Sequence, residues 1–311
     1  LKVYSDRITA IVTVADDGGS SGVLRQELGL PPPGDLRDCI AALADAEPLV
    51  ANLFQYRFGR GTSLDGHAFG NLFIAAMAGV TGDFESGVRE ASRVLAVRGR
   101  ILPSSLDDVD LCAEIRLAAR SGGEGAEEEP PASRLVRGQS RIAAAGGQVE
   151  RVFLHPERVK GYPEAIRALL QADIIVMGPG SLYTSVLPNL LIADIREAAR
   201  ASGACRMYVC NVATQPGETS GYDLGRHVRA LVDHVGEGLC DLVIGNNSLE
   251  HTLPPHSGSE MVRPDYGAAD CPPVVLADLV DEALPWRHDS AKLAAVVMAE
   301  YVARRGQPPA G

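Results

Sequence analysis

Residues 16–22, Asp16-Asp17-Gly18-Gly19-Ser20-Ser21-Gly22, place two adjacent carboxylates ahead of glycines and serines. Glycine lets backbone N–H groups approach a ligand, and paired carboxylates can take ribose hydroxyls or a divalent cation. A tight turn capped by its own aspartates is the plainer alternative. A second group comprises Pro33-Gly34-Asp35-Leu36-Arg37-Asp38 and Gly66-His67-Ala68-Phe69-Gly70-Asn71. Here Arg37, His67 and Asn71 offer a cation, an imidazole and an amide, beside glycines that a helix gains nothing from unless something must come close.

Two later stretches carry the strongest signal. Gly178-Pro179-Gly180-Ser181-Leu182-Tyr183-Thr184-Ser185 follows the apolar run IIVM and precedes a helical pattern. N–H groups and hydroxyls at such a junction favour a phosphate or pyrophosphate, although a Gly-Pro-Gly turn can also be purely structural. Residues 211–219, with Asn211, Thr214 and Gln215, crowd polar side chains behind another apolar run, where Asn and Thr also serve as caps.

The elements that must hold these loops can be read from periodicity. Residues 8–14 form a short β-branched run, a buried parallel strand that breaks off into the Asp16 loop. Helical spacing predicts helices over 35–44, capped by Asp35, and over 48–58, 68–79 and 83–97, the last capped by Asp83. Residues 35–97 are therefore expected to be a helical annex. Short strands follow at 101–102, 111–117 and 149–154. From residue 162 the alternation becomes regular: helix 164–171, strand 173–177, helix 190–201, strand 205–209, helix 224–234, strand 239–244, and a final helix over 289–303. Strands separated by helices predict a parallel sheet with right-handed crossovers and ligands at the strands' carboxyl ends. Residues 118–133, which hold four glutamates and two prolines, read as a flexible acidic loop.

Composition limits the function classes. The 311 residues are 46% hydrophobic and 22% charged, a globular balance fit for a single α/β domain over 1–311. A net charge of −11 repels a phosphate backbone, so nucleic acid is not an expected partner. No stretch approaches the ~20 apolar residues of a membrane span, and the first residues lack the apolar run of a signal peptide. The chain reads as cytoplasmic. Its cysteines, Cys39, Cys112, Cys205, Cys210, Cys240 and Cys271, form no C-x-x-C pair and read as buried thiols.

Five motifs in order, ADDGGSSG (15–22), PPPGDLRD (31–38), GHAFGN (66–71), GPGSLYTSVLPN (178–189) and NVATQPGETSGY (211–222), resemble the YvcK family of the CofD-like superfamily. RVFLHP (151–156) and the late Arg287-His288-Asp289-Ser290-Ala291-Lys292 extend the resemblance. It implies a three-layer α/β/α Rossmann-like fold with a mainly parallel sheet and a smaller helical and hairpin annex. It also implies a UDP-sugar ligand such as UDP-N-acetylglucosamine or UDP-glucose, and a role linking carbon metabolism to cell-wall precursor supply and cell shape. Carried over residue by residue, Asp16, Asp17, Asn71, Gly180, Ser181, Tyr183, Thr184, Asn211, Thr214 and Gln215 would line the nucleotide. Tyr266 and Arg287 would contact the nucleotide-sugar, and Arg287 with the Gly178 turn would hold its diphosphate. Family members normally open with a strand and a glycine-rich GGGTGL loop about 20 residues before ADDGGSSG, which would cradle the phosphates. This chain starts after that loop, as a fragment of a longer product would.

The transferase branch of the superfamily, CofD, moves a phospholactyl group from a GDP-activated donor with Mg²⁺, held there by paired carboxylates. Its segments resembling SPDLDT and GPSNP are replaced here by PPPGDLRD and GPGSLYTS. The first expectation is therefore a regulatory binding protein that requires no cofactor, reports to a protein partner and can form a homodimer. The second is a CofD-type transferase using Asp16, Asp17 and Mg²⁺. A scaffold with a merely structural nucleotide is the third.

Overall fold

The computed structural model describes residues 1–59, 61–117, 133–267 and 272–306. The chain opens with β1 (Thr9–Val12), then α1 (Gly19–Leu28), α2 (Gly34–Leu43), α3 (Pro48–Gln55), α4 (Phe69–Thr81) and α5 (Phe84–Val94). There follow β2 (Arg100–Pro103), β3 (Asp110–Arg116), β4 (Ser133–Arg137), α6 (Gln139–Ala144) and β5 (Gln148–His155). The second half runs α7 (Pro163–Leu170), β6 (Ile174–Met177), a π-turn (Leu182–Val186), α8 (Leu187–Leu191), α9 (Ala193–Ala201) and β7 (Cys205–Val209). It ends with α10 (Leu224–Val235), β8 (Leu242–Asn246), β9 (Val274–Ala277) and α11 (Ser290–Arg305).

Three sheets result: a parallel pair β1-β2, an antiparallel β4-β3-β5, and a parallel β6-β7-β8-β9. Side-chain alternation in β7 and β8 explains the layers. Met207, Val209, Leu242 and Ile244 meet Val297 and Tyr301 of α11 on one face. Tyr208 and Val243 join Ile195 and Ala199 of α9 and Val228 and Leu231 of α10 in the other core. A sheet buried on both faces between helices is the α/β/α arrangement that continuous apolar strands dictate. A separate core, with Leu36, Ile40, Phe54, Ile74 and Val88, ties the helical block to Val12 and Ile101 of the small parallel pair.

Several expectations change in detail. Helix α1 begins inside the motif expected to be a loop; its Gly-Ser-Ser-Gly start has poor helix propensity, and Ser20 and Ser21 are instead held by His67, just ahead of α4, and Asn71 of α4. Asp35 does not cap α2, whose N-cap is Pro33, whereas Asp83 caps α5 by accepting from the Ser86 N–H at 2.7 Å. The single helix expected over 190–201 is broken at Ile192, whose backbone is extended. Residues 118–132 of the acidic loop lie outside the described residues, and Ser133 already belongs to β4. Cys112, Cys205, Cys210 and Cys240 are buried and in no disulfide, and Cys39 is half-buried; Cys271 lies outside the described residues. No helix among the described residues is long and apolar enough to cross a membrane.

Candidate functional site

Three helix starts meet at the end of β1. Ser20, in the first turn of α1, places its hydroxyl 3.0 Å from His67 Nδ1 and accepts from the Ala68 N–H, just ahead of α4. Asn71 donates to Ser21 Oγ at 3.4 Å and accepts from Arg37 Nη1 at 3.3 Å, which brings in α2. None of the N-cap residues Gly18, Pro33 and Ala68 contributes a side-chain cap, so the positive ends of three helices share one corner. Gly34 permits the approach: a Cβ there would stand 2.5 Å from Ser21 Oγ and 2.6 Å from Asp16 Oδ2. Arg37 is nearly buried and paired to Asp38 at 2.7 Å, so its guanidinium is fixed rather than searching solvent.

The adjacent aspartates take separate partners. Asp16 Oδ1 accepts from the Gly18 N–H at 2.9 Å within its own loop, while Asp17 Oδ1 accepts from the Ser140 N–H at 2.8 Å at the start of α6. Asp17 thus serves a neighbouring helix. Gly19, at φ 45°, makes the turn from this loop into α1.

The second corner is the turn after β6. Gly178 adopts φ 90°, and a Cβ there would fall 2.8 Å from the Val209 carbonyl oxygen, so the position requires glycine. Asn211 holds the turn from β7: its Oδ1 accepts from the Gly180 N–H at 3.2 Å and its Nδ2 donates to the Gly180 carbonyl at 2.9 Å. Gln215 Nε2 donates to Ser181 Oγ at 2.6 Å. Both side chains shape the turn.

Three other expected ligand contacts, Tyr183, Thr184 and Thr214, lie beneath the surface. Tyr183 is 1% exposed, its hydroxyl 2.9 Å from that of Tyr222, and burial drives its phenol well above the usual range. Thr184 is buried and donates to Glu218 Oε1 at 3.0 Å; burial raises the Glu218 carboxyl. Thr214 is buried with its hydroxyl accepting from the Glu260 N–H at 2.9 Å. Tyr266 donates to the Pro272 carbonyl at 2.7 Å. Arg287 is exposed and next to His288, whose Nε2 donates to the Cys210 carbonyl at 3.1 Å beyond the end of β7.

A groove of about 860 Å³ lies between the edges of β1 and β6, lined by Thr13, Asp35 and Asp38 on one wall and Gly178, Gly180, Ser185 and Asn189 on the other, while Ser20, Ser21, His67 and Asn71 of the first corner lie outside its lining. Sequence reasoning missed its two most telling residues. Asp35 Oδ2 and Asn189 Oδ1 are buried with no hydrogen-bond partner. Burial, reinforced by Asp16 and Asp38 and opposed by Arg37, raises the Asp35 carboxyl to about 7. Orphaned acceptors on opposite walls call for a ligand that brings donors. The only sequence signal for Asn189 was its place at the end of the GPGSLYTSVLPN motif.

A family model described as "2-phospho-L-lactate transferase CofD" matches residues 1–277. The chain belongs to the CofD family. Within it, the chain groups with the gluconeogenesis factors, the YvcK proteins: it is 44% identical over 298 residues to "Gluconeogenesis factor" of Bacillus subtilis, covering 94% of this chain and 89% of that one. It is 46% identical over 265 residues to the protein of the same name from Halalkalibacterium halodurans, covering 85% and 78%. A Nostoc sp. relative is 47% identical over 318 residues, and there the chain spans just under two thirds (65%) of the relative's length. A crystal structure of a UPF0052-family protein from Bacillus halodurans superposes with a TM-score of 0.81 at 40% identity, covering 95% of this chain and 92% of that one.

The Mg²⁺ of CofD transferases fits poorly on Asp16 and Asp17 of this CofD-family chain, because their carboxylates are bonded into different segments. No group of three or more His, Cys, Asp or Glu able to hold a metal occurs among the described residues. Asp17 holds the start of α6, and Asp17→Ala should cost about 1 kcal/mol, the usual worth of a helix-start acceptor. Urea denaturation checks this, with faster amide exchange expected at Ser140.

Proposed function

We propose that this chain binds a uridine diphosphate sugar, UDP-N-acetylglucosamine or UDP-glucose, without turning it over, and reports its level to a protein partner. Through that partner it would link carbon metabolism to cell-wall precursor supply and cell shape in the cytoplasm. The observation that carries the reading is the pair of orphaned acceptors, Asp35 Oδ2 and Asn189 Oδ1, on two residues that line one groove from opposite walls. Sugar and ribose hydroxyls supply the donors they lack. Asp35 in its first turn brings the positive start of α2 to this groove, which favours a diphosphate there, and the Gly178–Gly180 turn lines the facing wall. Arg287, exposed and adjacent in sequence to the His288 that bonds the Cys210 carbonyl, would add a planar guanidinium able to make two charge-assisted bonds to the diphosphate.

Calorimetric titration with UDP-N-acetylglucosamine, UDP-glucose and GDP, each with and without Mg²⁺, tests the reading. Uridine-selective binding with the ligand recovered intact supports it. Arg287→Ala should weaken that binding about tenfold while leaving the melting temperature unchanged; equal affinity in the variant would remove Arg287 from the site. One observation favours the transferase alternative, the partnerless Asp35 carboxyl beside Asp16. Guanosine preference, dependence on Mg²⁺ and a consumed donor would decide for it.

A further inference from the structure

Strand β4 has a ladder on one side only, to β3, and its other edge is open among the described residues. The Gly138 N–H donates to the Leu111 carbonyl at 2.8 Å, so by the period of two the backbone groups of Leu135 and Arg137 point away from β3. Between this edge and α6 lies a groove of about 370 Å³. Its lining contains Arg134, Arg137 and Arg141 and no acidic residue, on a chain whose net charge is −11. Arg137 is paired with Asp110; Arg134 and Arg141 are exposed and have no ion pair among the described residues. Leu135 stands between the arginines with 65% of its surface exposed.

From this geometry we infer that the β4 edge and the α6 groove dock an extended, acidic peptide segment of a partner protein, which adds a strand antiparallel or parallel to β4. The open edge supplies backbone donors and acceptors, Leu135 an apolar contact, and Arg134 and Arg141 the charge that selects glutamate or aspartate side chains. A second copy of this chain is disfavoured as the occupant, since it would set the same arginines against each other. The inference does not depend on the nucleotide-sugar reading, because the groove shares no lining residue with the site between β1 and β6.

Fluorescence anisotropy with a labelled peptide of about eight residues, alternating Glu with Val, tests it. The Glu peptide should bind at least about tenfold more tightly than its Gln counterpart. R134E with R141E should reduce its affinity by at least about tenfold. Leu135→Pro removes one outward N–H without touching the ladder to β3, and should reduce it comparably at an unchanged melting temperature. No binding at all would leave the arginines as charges that merely blunt an edge, and would overturn the inference. Full affinity in Leu135→Pro, or equal affinity for an oligothymidine of similar length, would also overturn it, by reducing the contact to bulk charge. Binding that appears only after Glu124, Glu127, Glu128 and Glu129 are changed to Gln would assign the groove to the chain's own acidic stretch, and the partner would fall.

Discussion

Replacing Asp35 by Asn is expected to stabilise the free protein at pH 8 by about 2–4 kcal/mol, the range that a displaced carboxyl of this kind implies. The sign follows from linkage. Burial raises the folded-state value from 3.8 to about 7, so the folded chain binds a proton that the unfolded chain releases. The stability this contributes is fully present below the ordinary carboxylate value and is lost as pH rises through about 7. Above that point the wild type holds an ionised carboxylate whose Oδ2 has no partner, and the neutral amide removes the charge. Urea denaturation at pH 5 and pH 8 should show wild type losing stability between the two, with the variant losing far less. An identical pH slope in the two proteins would mean that Asp35 is solvated in solution. The same substitution should weaken UDP-sugar binding, because a site that keeps an unsatisfied group for its ligand trades stability for function.

Gly34→Ala is expected to reduce UDP-sugar affinity by at least about tenfold while costing roughly 1–3 kcal/mol of stability. The added methyl meets Ser21 Oγ and Asp16 Oδ2, both ends of short side chains, so the site gives way before the fold does. Ser21 would turn away from Asn71, and through Asn71 the change reaches Arg37. Calorimetry and thermal melting on the same preparation separate the two effects. A variant that binds as wild type would detach the corner of three helix starts from the ligand.

Sequence patterning was most legible where one physical signal acted alone. The apolar runs at 205–209 and 239–244 located two buried strands, the second of which begins only at Leu242, and Asp83 announced its helix because its carboxylate reaches the N–H of Ser86 three residues on. Asp35 looked the same and behaves differently: Pro33 takes the N-cap position, which carries Asp35 into the first turn, where it lines the groove. The start of α1 was illegible because tertiary bonds to His67 and Asn71 outweigh the poor propensity of its glycines and serines. The motifs marked the right loops, yet motif membership did not separate groups that face the groove from those that brace it. Asn211 and Gln215 spend their hydrogen bonds on the Gly180–Ser181 turn, while Asn189, carrying no special signal, keeps one acceptor free.

The groove between β1 and β6 has a consequence for how the molecule breathes. The two strands share no ladder among the described residues; the Tyr162 N–H bond to the Ser104 carbonyl at 2.9 Å and the Arg7–Asp173 ion pair at 3.6 Å cross between the two sides instead. Hydrogen-bonded ladders spread cooperativity, and a seam without one lets each side open by its own route. Amide exchange should therefore divide the chain in two, with Ile40, Ile74 and Val88 exchanging as one group and Met207, Val243 and Val297 protected to a different depth. Whatever fills the seam would then act as a fastener, merging two independent openings into one.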